Sequence, residues 1–286
     1  MLISIVTPIY NRAHLIKKLY HSLLQQQKYN FEWIIIDDGS TDNLDELIYS
    51  FQKKSPFEIV YQKKTNGGKH TAINESVKLS STDWIFIVDS DDIITPTATE
   101  IIEHNLLKIH DPKCCGLIFL KKNTQGDLCG NLLAKEKINN IELANTIGDK
   151  AIVLNKTLLL ENPFPVFKNE KFLTEAYVWN KALDYKYLLS INEVIYICEY
   201  LDDGLTNNYY KLLKNNINGT LAFVISNLNL KSNSIGIYKQ SIYHFYPIIS
   251  ARSLITVFKG TTKKRFLIFI TLLTLFFIKR LLRDKT

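Results

Sequence analysis

Three carboxylates within four residues are the strongest chemical signal in this sequence. Asp89-Ser90-Asp91-Asp92 directly follows the apolar run 84–88 (WIFIV), which is typical of a buried strand. Because like charges repel one another and burial of any of them is costly, a strand end that gathers three acids is stabilised by a bound cation. Hard divalent ions take oxygen ligands and often bridge phosphates through one or two carboxylates. The pattern therefore predicts a metal site for a phosphorylated ligand, and the alternative is a solvated acidic turn that caps the next helix.

Two weaker polar motifs follow other apolar runs. Asp37-Asp38-Gly39-Ser40 ends the run 31–37, and if Asp42 caps the next helix, one of the two preceding acids is spare to accept a hydrogen bond from a ring N–H such as that of uracil. Asn66-Gly67-Gly68-Lys69-His70 places backbone amides and a lysine at a helix start, which suits phosphate, although the spacing is not that of a P-loop.

The elements that must position these residues repeat in a strand–loop–helix order. Residues 1–110 show four apolar runs and four helical patterns, the strands at 2–7 (ended by Pro8), 31–37, 57–62 and 84–88, and the helices at 12–27, 42–53, 69–79 and 97–109. Such alternation predicts a mostly parallel sheet with helices on both faces. In that class of sheet, ligands bind beyond the carboxyl ends of the strands, where the polar motifs lie.

The pattern is weaker after residue 112. Short strands are predicted at 115–121, 151–154 and 195–198, and the apolar spacing over 206–258 is helical. We therefore expect an α/β domain over 1–205, with a nucleotide-binding half (1–110) and an acceptor half (111–205). A helical extension (206–258) and a basic tail (259–286) follow.

Taken together, the motifs resemble a known family. Ser4 to Asn11 (SIVTPIYN), Ile35 to Asp42 (IIDDGSTD), Asn66 to Lys69 (NGGK) and Val88 to Asp92 (VDSDD) are similar in order and spacing to the family 2 glycosyltransferases of the GT-A fold. The resemblance covers residues 1 to about 110 closely and the region to about 205 more loosely. It implies a Rossmann-like GT-A domain, a nucleotide-diphosphate sugar donor, a divalent metal and an inverting transfer.

The resemblance also implies roles for individual residues. Thr7 and Pro8 would line the nucleotide pocket, Asp38 would hold the base, and Lys69 would lie near the nucleotide. Asp89 and Ser90 would contact the ribose or the sugar. Asp91 would bind Mn²⁺ or Mg²⁺ on the diphosphate.

An inverting transfer also needs a general base to deprotonate the acceptor hydroxyl. The family usually offers a Glu-Asp pair after the metal motif, and the matching stretch here has Glu175 followed by Ala176. Glu175 is the predicted base. The alternative is that Glu175 caps a helix and that the base is Glu170 or comes from another loop. Tyr177 and Trp179 could stack on a sugar or lie in the core. Residues 200–206 (YLDDGLT) resemble a family element that could supply a late metal or diphosphate contact or a loop that closes over the donor, and the alternative is a turn with Thr206 as an N-cap.

The net charge of +7 is concentrated in the tail. From Lys259 onward there are eight basic residues and one acid, Asp284, so residues 1–258 sum to zero and a nucleic-acid-binding face is not predicted. Residues 266–278 (FLIFITLLTLFFI) would form a helix of about 20 Å, which is shorter than a bilayer core of about 30 Å. Basic clusters on both sides predict a helix lying in an anionic leaflet. A tilted span and a helix buried in the fold or in an oligomer contact are the alternatives.

The sequence starts without a basic n-region, so no signal peptide is predicted, and the four cysteines have neither a CxxC pair nor metal-ligand spacing. We expect a metal-dependent inverting glycosyltransferase at the cytoplasmic face of the plasma membrane. It would move a hexosyl or N-acetylhexosaminyl group, from a UDP-sugar in preference to other nucleotide sugars, to a saccharide or lipid-linked acceptor in surface-polysaccharide synthesis. The alternative is a non-catalytic nucleotide-sugar or polysaccharide-binding relative, in which Ala176 marks a lost base.

Overall fold

A mixed nine-stranded sheet organises the protein. The computed structural model describes residues 2–199, 208–232 and 234–283. The strands run in the order β3-β2-β1-β4-β8-β6-β9-β5, and β7 pairs with β9. Their bounds are β1 Ile3–Ile9, β2 Phe31–Asp37, β3 Glu58–Lys63, β4 Trp84–Ile87, β5 Ile93–Ile94, β6 Cys114–Asn123, β7 Lys137–Ile138, β8 Lys150–Asn155 and β9 Tyr187–Cys198.

The first four strands are parallel, as the sequence predicts. β1 is central between β2 and β4, and every residue of β1 and β2 is buried because helices cover both faces. The covering helices are α1 Ile16–Leu24, α2 Leu44–Gln52, α3 Lys69–Leu79 and α4 Ala98–Leu106. Two hydrophobic clusters, one on each face of the sheet, form the core. The carboxyl ends of these strands therefore meet along one edge.

After residue 112, β8 is reversed, whereas β6 and β9 run in the same direction as β4. β8 runs antiparallel to both β4 and β6, whereas β9 pairs parallel with β6 and antiparallel with β5. The twelve residues of β9 thereby bring its carboxyl end to β5, directly after the acidic motif. Three short helices connect this half: α5 Asn140–Asn145, α6 Lys156–Glu161 and α7 Ala176–Ala182.

Two local predictions are wrong. β1 continues through Pro8 to Ile9, because β4 pairs with β1 only as far as Val6 and leaves no second neighbour to require the missing N–H of Pro8. Asp42 does not cap α2. Its carboxylate accepts a hydrogen bond from the backbone amide of Ala13 at 2.9 Å, and Asn43 stands at the cap position without a side-chain bond.

The C-terminal segment is helical. It contains α8 Tyr209–Asn215, α9 Ile217–Asn229, α10 Ile235–Phe245, α11 Ala251–Gly260 and α12 Lys263–Arg283. One face of α12 belongs to the core, since Phe269 is fully buried and Leu273 is 6% exposed. The alternative of a helix buried in the fold therefore applies to this face of α12. Within the described residues, no helix is long and apolar enough to cross a bilayer.

Candidate active site

The acidic motif lies at the carboxyl end of β4 and is fastened to β9. The backbone amide of Asp89 donates to Tyr196 Oη at 3.1 Å, and this hydroxyl donates to Asp92 Oδ2 at 2.7 Å. The backbone amide of Glu199 donates to the other oxygen of Asp92 at 3.0 Å. Burial, reinforced by the charge of Asp89, raises the pKa of Asp92 to about 6. Asp92 therefore anchors the loop.

Asp89 and Asp91 are more open than Asp92 and are bound by cations. Lys69 Nζ lies 2.6 Å from Asp89, and an Arg12 guanidinium nitrogen lies 3.4 Å from Asp91. Burial and the neighbouring charge of Asp89 raise the pKa of Asp91 above its usual value. Burial would also raise the pKa of Asp89, but the charges of Lys69 and Lys121 outweigh it and the pKa is lowered. A divalent ion could replace Arg12 and Lys69 as the partner of these carboxylates, and a diphosphate could replace the carboxylates as the partner of the two cations.

Lys69 connects the acidic motif to the predicted base. It is the first residue of α3, and its ammonium lies 2.6 Å from Asp89 and 2.7 Å from Glu175. Burial would lower the pKa of Lys69, but the two carboxylates more than compensate and hold the pKa well above its usual value. The charged ammonium of Lys69 thus joins Asp89 of the acidic motif to Glu175, which lies 86 positions later in the chain.

The two candidate bases differ in their surroundings. Glu170 accepts hydrogen bonds from the backbone amides of Asn218 and Gly219, both at 2.8 Å, so its carboxylate caps α9. Glu175 stands at the N-cap position of α7 but makes no side-chain cap bond, and its side chain remains 32% exposed. The geometry favours Glu175 over Glu170 as a group that could reach a substrate.

The loop that carries Glu175 is held through its backbone by Asn216 and Gly68. Asn216 Oδ1 accepts from the backbone amides of Lys171 and Phe172 at 2.8 and 3.1 Å. Gly68, with φ of +94°, packs so closely against this loop that a Cβ there would lie 1.9 Å from the Lys171 carbonyl oxygen. A glycine is thus required where the turn Asn66-Gly67-Gly68 meets the loop that carries Glu175.

Asp38 organises the glycine turn. Its carboxylate accepts from the backbone amides of Gly67 and Gly68 at 2.9 and 2.7 Å, and Lys64 Nζ lies 2.6 Å away. The residue is 4% exposed. These bonds give Asp38 a structural role beside the base-holding role predicted for it, which stays a prediction.

The other predicted nucleotide contacts are buried. Thr7 is fully buried, and its hydroxyl accepts from the Trp33 indole at 2.9 Å. Pro8 is buried within β1, opposite Ile36 of β2, and Ser90 is 5% exposed within the acidic loop. All three lie at the carboxyl edge of the parallel strands, but the side chain of Thr7 is engaged in the core. Their contacts with a nucleotide stay predictions.

Three residues of the site were missed from the sequence. Arg12 follows the end of β1, so the same strand-end rule could have identified it. Lys121 and Tyr196 lie within β6 and β9, and the Lys121 ammonium is 3.8 Å from the centre of the Tyr196 ring. Lys121 ends the predicted strand 115–121, so the strand-end rule could have identified it as well, whereas the apolar pattern does not single out Tyr196. Tyr177 and Trp179 pack against the core cluster, and the 200–206 loop lies outside the described residues.

The donor set fits a hard divalent ion. Within the described chain, no three His, Cys, Asp or Glu side chains converge as a ready metal cage. Asp91, with Asp89 beside it, nevertheless offers the one or two carboxylates that Mg²⁺ or Mn²⁺ takes when phosphates supply its other ligands. Burial, followed by the charge of Asp89, raises the pKa of Asp91, and a bound cation would stabilise the charged carboxylate there.

Comparison with known proteins agrees with this geometry. Residues 4–113 match the Glycosyl transferase family 2. The glucosyltransferase WfgD of Escherichia coli is 29% identical over 220 residues, covering 74% of this chain and 83% of WfgD. The glycosyltransferase GlyG of Streptococcus pneumoniae is 25% identical over 210 residues, covering 70% of this chain and 69% of GlyG.

Solved structures share the fold. S. aureus TarS 1-349 in complex with UDP-GlcNAc matches with a TM-score of 0.68 at 16% identity, covering 93% of this chain and 83% of TarS 1-349. The mannosyltransferase PcManGT from Pyrobaculum calidifontis, in complex with GDP-Man and Mn²⁺, matches with a TM-score of 0.59 at 13% identity. The match covers 96% of this chain and 79% of the PcManGT chain. The α/β architecture and the acidic motif at its carboxyl edge agree with these matches: the chain has a GT-A fold, and its residues 4–113 match the Glycosyl transferase family 2.

Proposed function

We propose that this glycosyltransferase catalyses an inverting, metal-dependent transfer of a hexosyl or N-acetylhexosaminyl group from a UDP-sugar. The observation that carries the proposal is the Lys69 ammonium, which lies within 2.7 Å of both Asp89 in the donor motif and Glu175 at the start of α7. A single cation thereby brings a donor-binding carboxylate and the candidate base to one place. Loss of a base at Ala176 is offset by the presence of Glu175, which favours an enzyme over a non-catalytic relative.

In the proposed step, an acceptor hydroxyl oxygen attacks the anomeric carbon of the donor. Glu175 takes the hydroxyl proton as the new C–O bond forms. The bond from the anomeric carbon to the diphosphate breaks, and its electron pair leaves with the UDP. Arg12, Lys69 and Lys121 surround the acidic loop and stabilise the charge that develops on the leaving diphosphate. A Mn²⁺ or Mg²⁺ held by Asp91, with Asp89 beside it, would supply further neutralisation there.

The nucleotide end of the donor is assigned to the carboxyl edge of β1 and β2. Thr7 and Pro8 would face the nucleotide, Asp38 would hold its base, and Asp89 and Ser90 would contact the ribose or the sugar. The choice of UDP is supported by the UDP-Glc in the name of WfgD and by the UDP-GlcNAc complex of TarS.

The proposed acceptor is a saccharide or a lipid-linked saccharide in surface-polysaccharide synthesis. WfgD is named as acting on a GlcNAc-diphosphoundecaprenol, and a poly-beta-1,6-N-acetyl-D-glucosamine synthase of Staphylococcus epidermidis is 32% identical over 152 residues. The basic, apolar tail would place the enzyme peripherally on the cytoplasmic face of the plasma membrane. In this assignment, 1–205 is the catalytic domain, 206–258 an extension and 259–286 the membrane-associating tail.

Metal-dependent donor binding tests the proposal. We expect UDP-GlcNAc or UDP-glucose to raise the Tm of the protein in the presence of Mn²⁺ and to lose most of this effect in EDTA. Asp91→Asn should weaken Mn²⁺-dependent UDP binding by about tenfold or more, because the charged ligand is lost. Asp127→Asn, at an exposed hairpin, is the matched control and should bind like the unmodified protein. Undiminished transfer by the Asp91→Asn protein in EDTA would refute the metal role.

A further inference from the structure

A cavity away from the donor site separates α10 from α12. Its volume is about 560 Å³. Its lining combines two cations with apolar side chains: Ile235, Tyr238, Lys264, Arg265, Ile268 and Leu272. None of these residues takes part in the proposed transfer, so the cavity needs a separate explanation.

The cations of the cavity are not neutralised by the fold. In the part of the chain that the structure describes, neither Lys264 nor Arg265 forms an ion pair with a carboxylate. The first residue of α10, Ile235, also lies at the cavity, and a helix start adds partial positive charge to that end. Ile268 and Leu272 follow Lys264 at four-residue spacing, so they line α12 on the same side. The cavity therefore has a cationic end and an apolar wall.

Helices α11 and α12 expose several large apolar side chains. On α12, Leu267, Leu275 and Ile278 are 65, 55 and 48% exposed. On α11, Ile255 and Phe258 are 54 and 45% exposed. An extended apolar surface of this kind marks an interaction site on a folded protein. The surrounding tail has eight basic residues against one acid, which favours an anionic partner with apolar chains over a second copy of this equally basic segment.

We propose that the α10–α12 cavity binds an anionic phospholipid. The lipid phosphate pairs with Lys264 and Arg265, and an acyl chain runs along Ile268 and Leu272. The exposed apolar surface of α11 and α12 lies on the same leaflet. The inference deepens the proposed membrane location and rests on the proposed function for that context, but lipid binding is measured without sugar transfer.

Vesicle binding by the full chain tests the charge requirement. We expect sedimentation with phosphatidylcholine vesicles that contain one quarter phosphatidylglycerol, and little with pure phosphatidylcholine, at physiological salt. Lys264→Gln/Arg265→Gln should weaken binding about tenfold or more, since each cation near an anionic surface contributes about 1 kcal/mol. Lys53→Gln/Lys54→Gln removes the same charge from an exposed site after α2 and should have a smaller effect. Equal losses in the two double variants would overturn the assignment to this cavity.

A soluble short-chain lipid separates the cavity from the outer surface. Monomeric dihexanoyl phosphatidylglycerol should raise the Tm, and dihexanoyl phosphatidylcholine or inorganic phosphate should not. Ile268→Ser, in the cavity, should abolish this shift, whereas Leu267→Ser, on the adjacent outer face, should retain it. A shift with inorganic phosphate alone, or loss in Leu267→Ser and not in Ile268→Ser, would overturn the lipid site. The Lys264→Gln/Arg265→Gln protein should still bind UDP with Mn²⁺, so failure of the lipid site leaves the proposed transferase function standing.

Discussion

The two halves of the proposed catalytic domain, 1–110 and 111–205, position their polar groups by different means. In the first half, every group comes from the carboxyl end of a parallel strand or from the start of the following helix, as with Asp38, Lys69 and Asp89. In the second half, Lys121 and Tyr196 lie near the carboxyl ends of β6 and β9, and Glu175 sits in a loop fastened by α9. The local strand–helix order thus places the polar groups of the first half, whereas long-range packing places Glu175.

Two of the contacts between the halves involve the loop that carries Glu175. One is the ion pair of Lys69 with Glu175, and the other is the close approach of Gly68 to Lys171. The first joins side chains and the second joins main chain. Substitutions that remove one of these contacts at a time should therefore separate the effect on catalysis from the effect on packing between the halves.

The largest expected effect is on catalysis. Glu175→Gln should lower kcat by about 10²- to 10⁴-fold, because the amide cannot take the acceptor proton. The UDP-sugar Kd should change much less than kcat, since Thr7, Asp38 and Asp91, the residues assigned to the nucleotide and the metal, lie in the other half. Initial-rate kinetics together with calorimetric titration of the donor would measure both quantities.

Glu170→Gln is the matched control for that variant. It removes a carboxylate that caps α9, so we expect a loss of about 1–3 kcal/mol in the free energy of unfolding with the pH dependence of the rate unchanged. If Glu170→Gln abolished transfer while Glu175→Gln retained it, the assignment of the base would be reversed.

A smaller effect is expected at the main-chain contact. Gly68→Ala adds a Cβ that would lie 1.9 Å from the Lys171 carbonyl oxygen, so the loop carrying Glu175 must move. Gly126 has a similar φ of +97° but open space around it, and Gly126→Ala should cost only the backbone strain of about 1–3 kcal/mol. Urea denaturation and transfer rates should show a greater loss of both stability and kcat for Gly68→Ala. Equal losses would mean that the contact does not couple the halves.

The smallest expected effect concerns pH and the C-terminal helices. Burial lowers the pKa of His244 to about 4, and its Nδ1 donates to the Gln240 carbonyl while Nε2 accepts from Tyr209. The unfolded chain binds a proton near pH 6.5 and the folded protein does not, so stability is complete above pH 6.5 and falls toward pH 4. The loss is up to about 3 kcal/mol.

Unfolding free energies measured between pH 7 and 4 check this linkage. His244→Gln should flatten the curve, and His104→Gln, at an exposed position, should not. His70 in α3 has its pKa lowered by burial to about 4 as well, so it leaves a residual slope. A slope unchanged by His244→Gln would show that this histidine does not contribute to the acid sensitivity.

The sequence predicts the first half better than the second for a physical reason. The bounds of β2 and α3 were predicted to the residue, because a fully buried strand and a glycine-initiated helix each leave a local pattern. The contact of Lys69 with Glu175 was not predicted, since it depends on how the loop before α7 packs against Asn216 and Gly68. The anchoring of Asp92 by Tyr196 was not predicted, since it depends on how β9 pairs with β5 and β6. Glu175 could be proposed only by resemblance, and its separation from Glu170 required the bonds that α9 makes.

The fastening of the acidic loop to β9 offers a way to observe the donor site without a substrate. The amides of Asp89 and Glu199 donate to Tyr196 and Asp92, although both amides belong to connecting segments. Amides bonded in this way should exchange with deuterium more slowly than their neighbours, because exchange requires the loop to detach. Their exchange rates would report whether a variant of the second half has disturbed the loop that binds the donor.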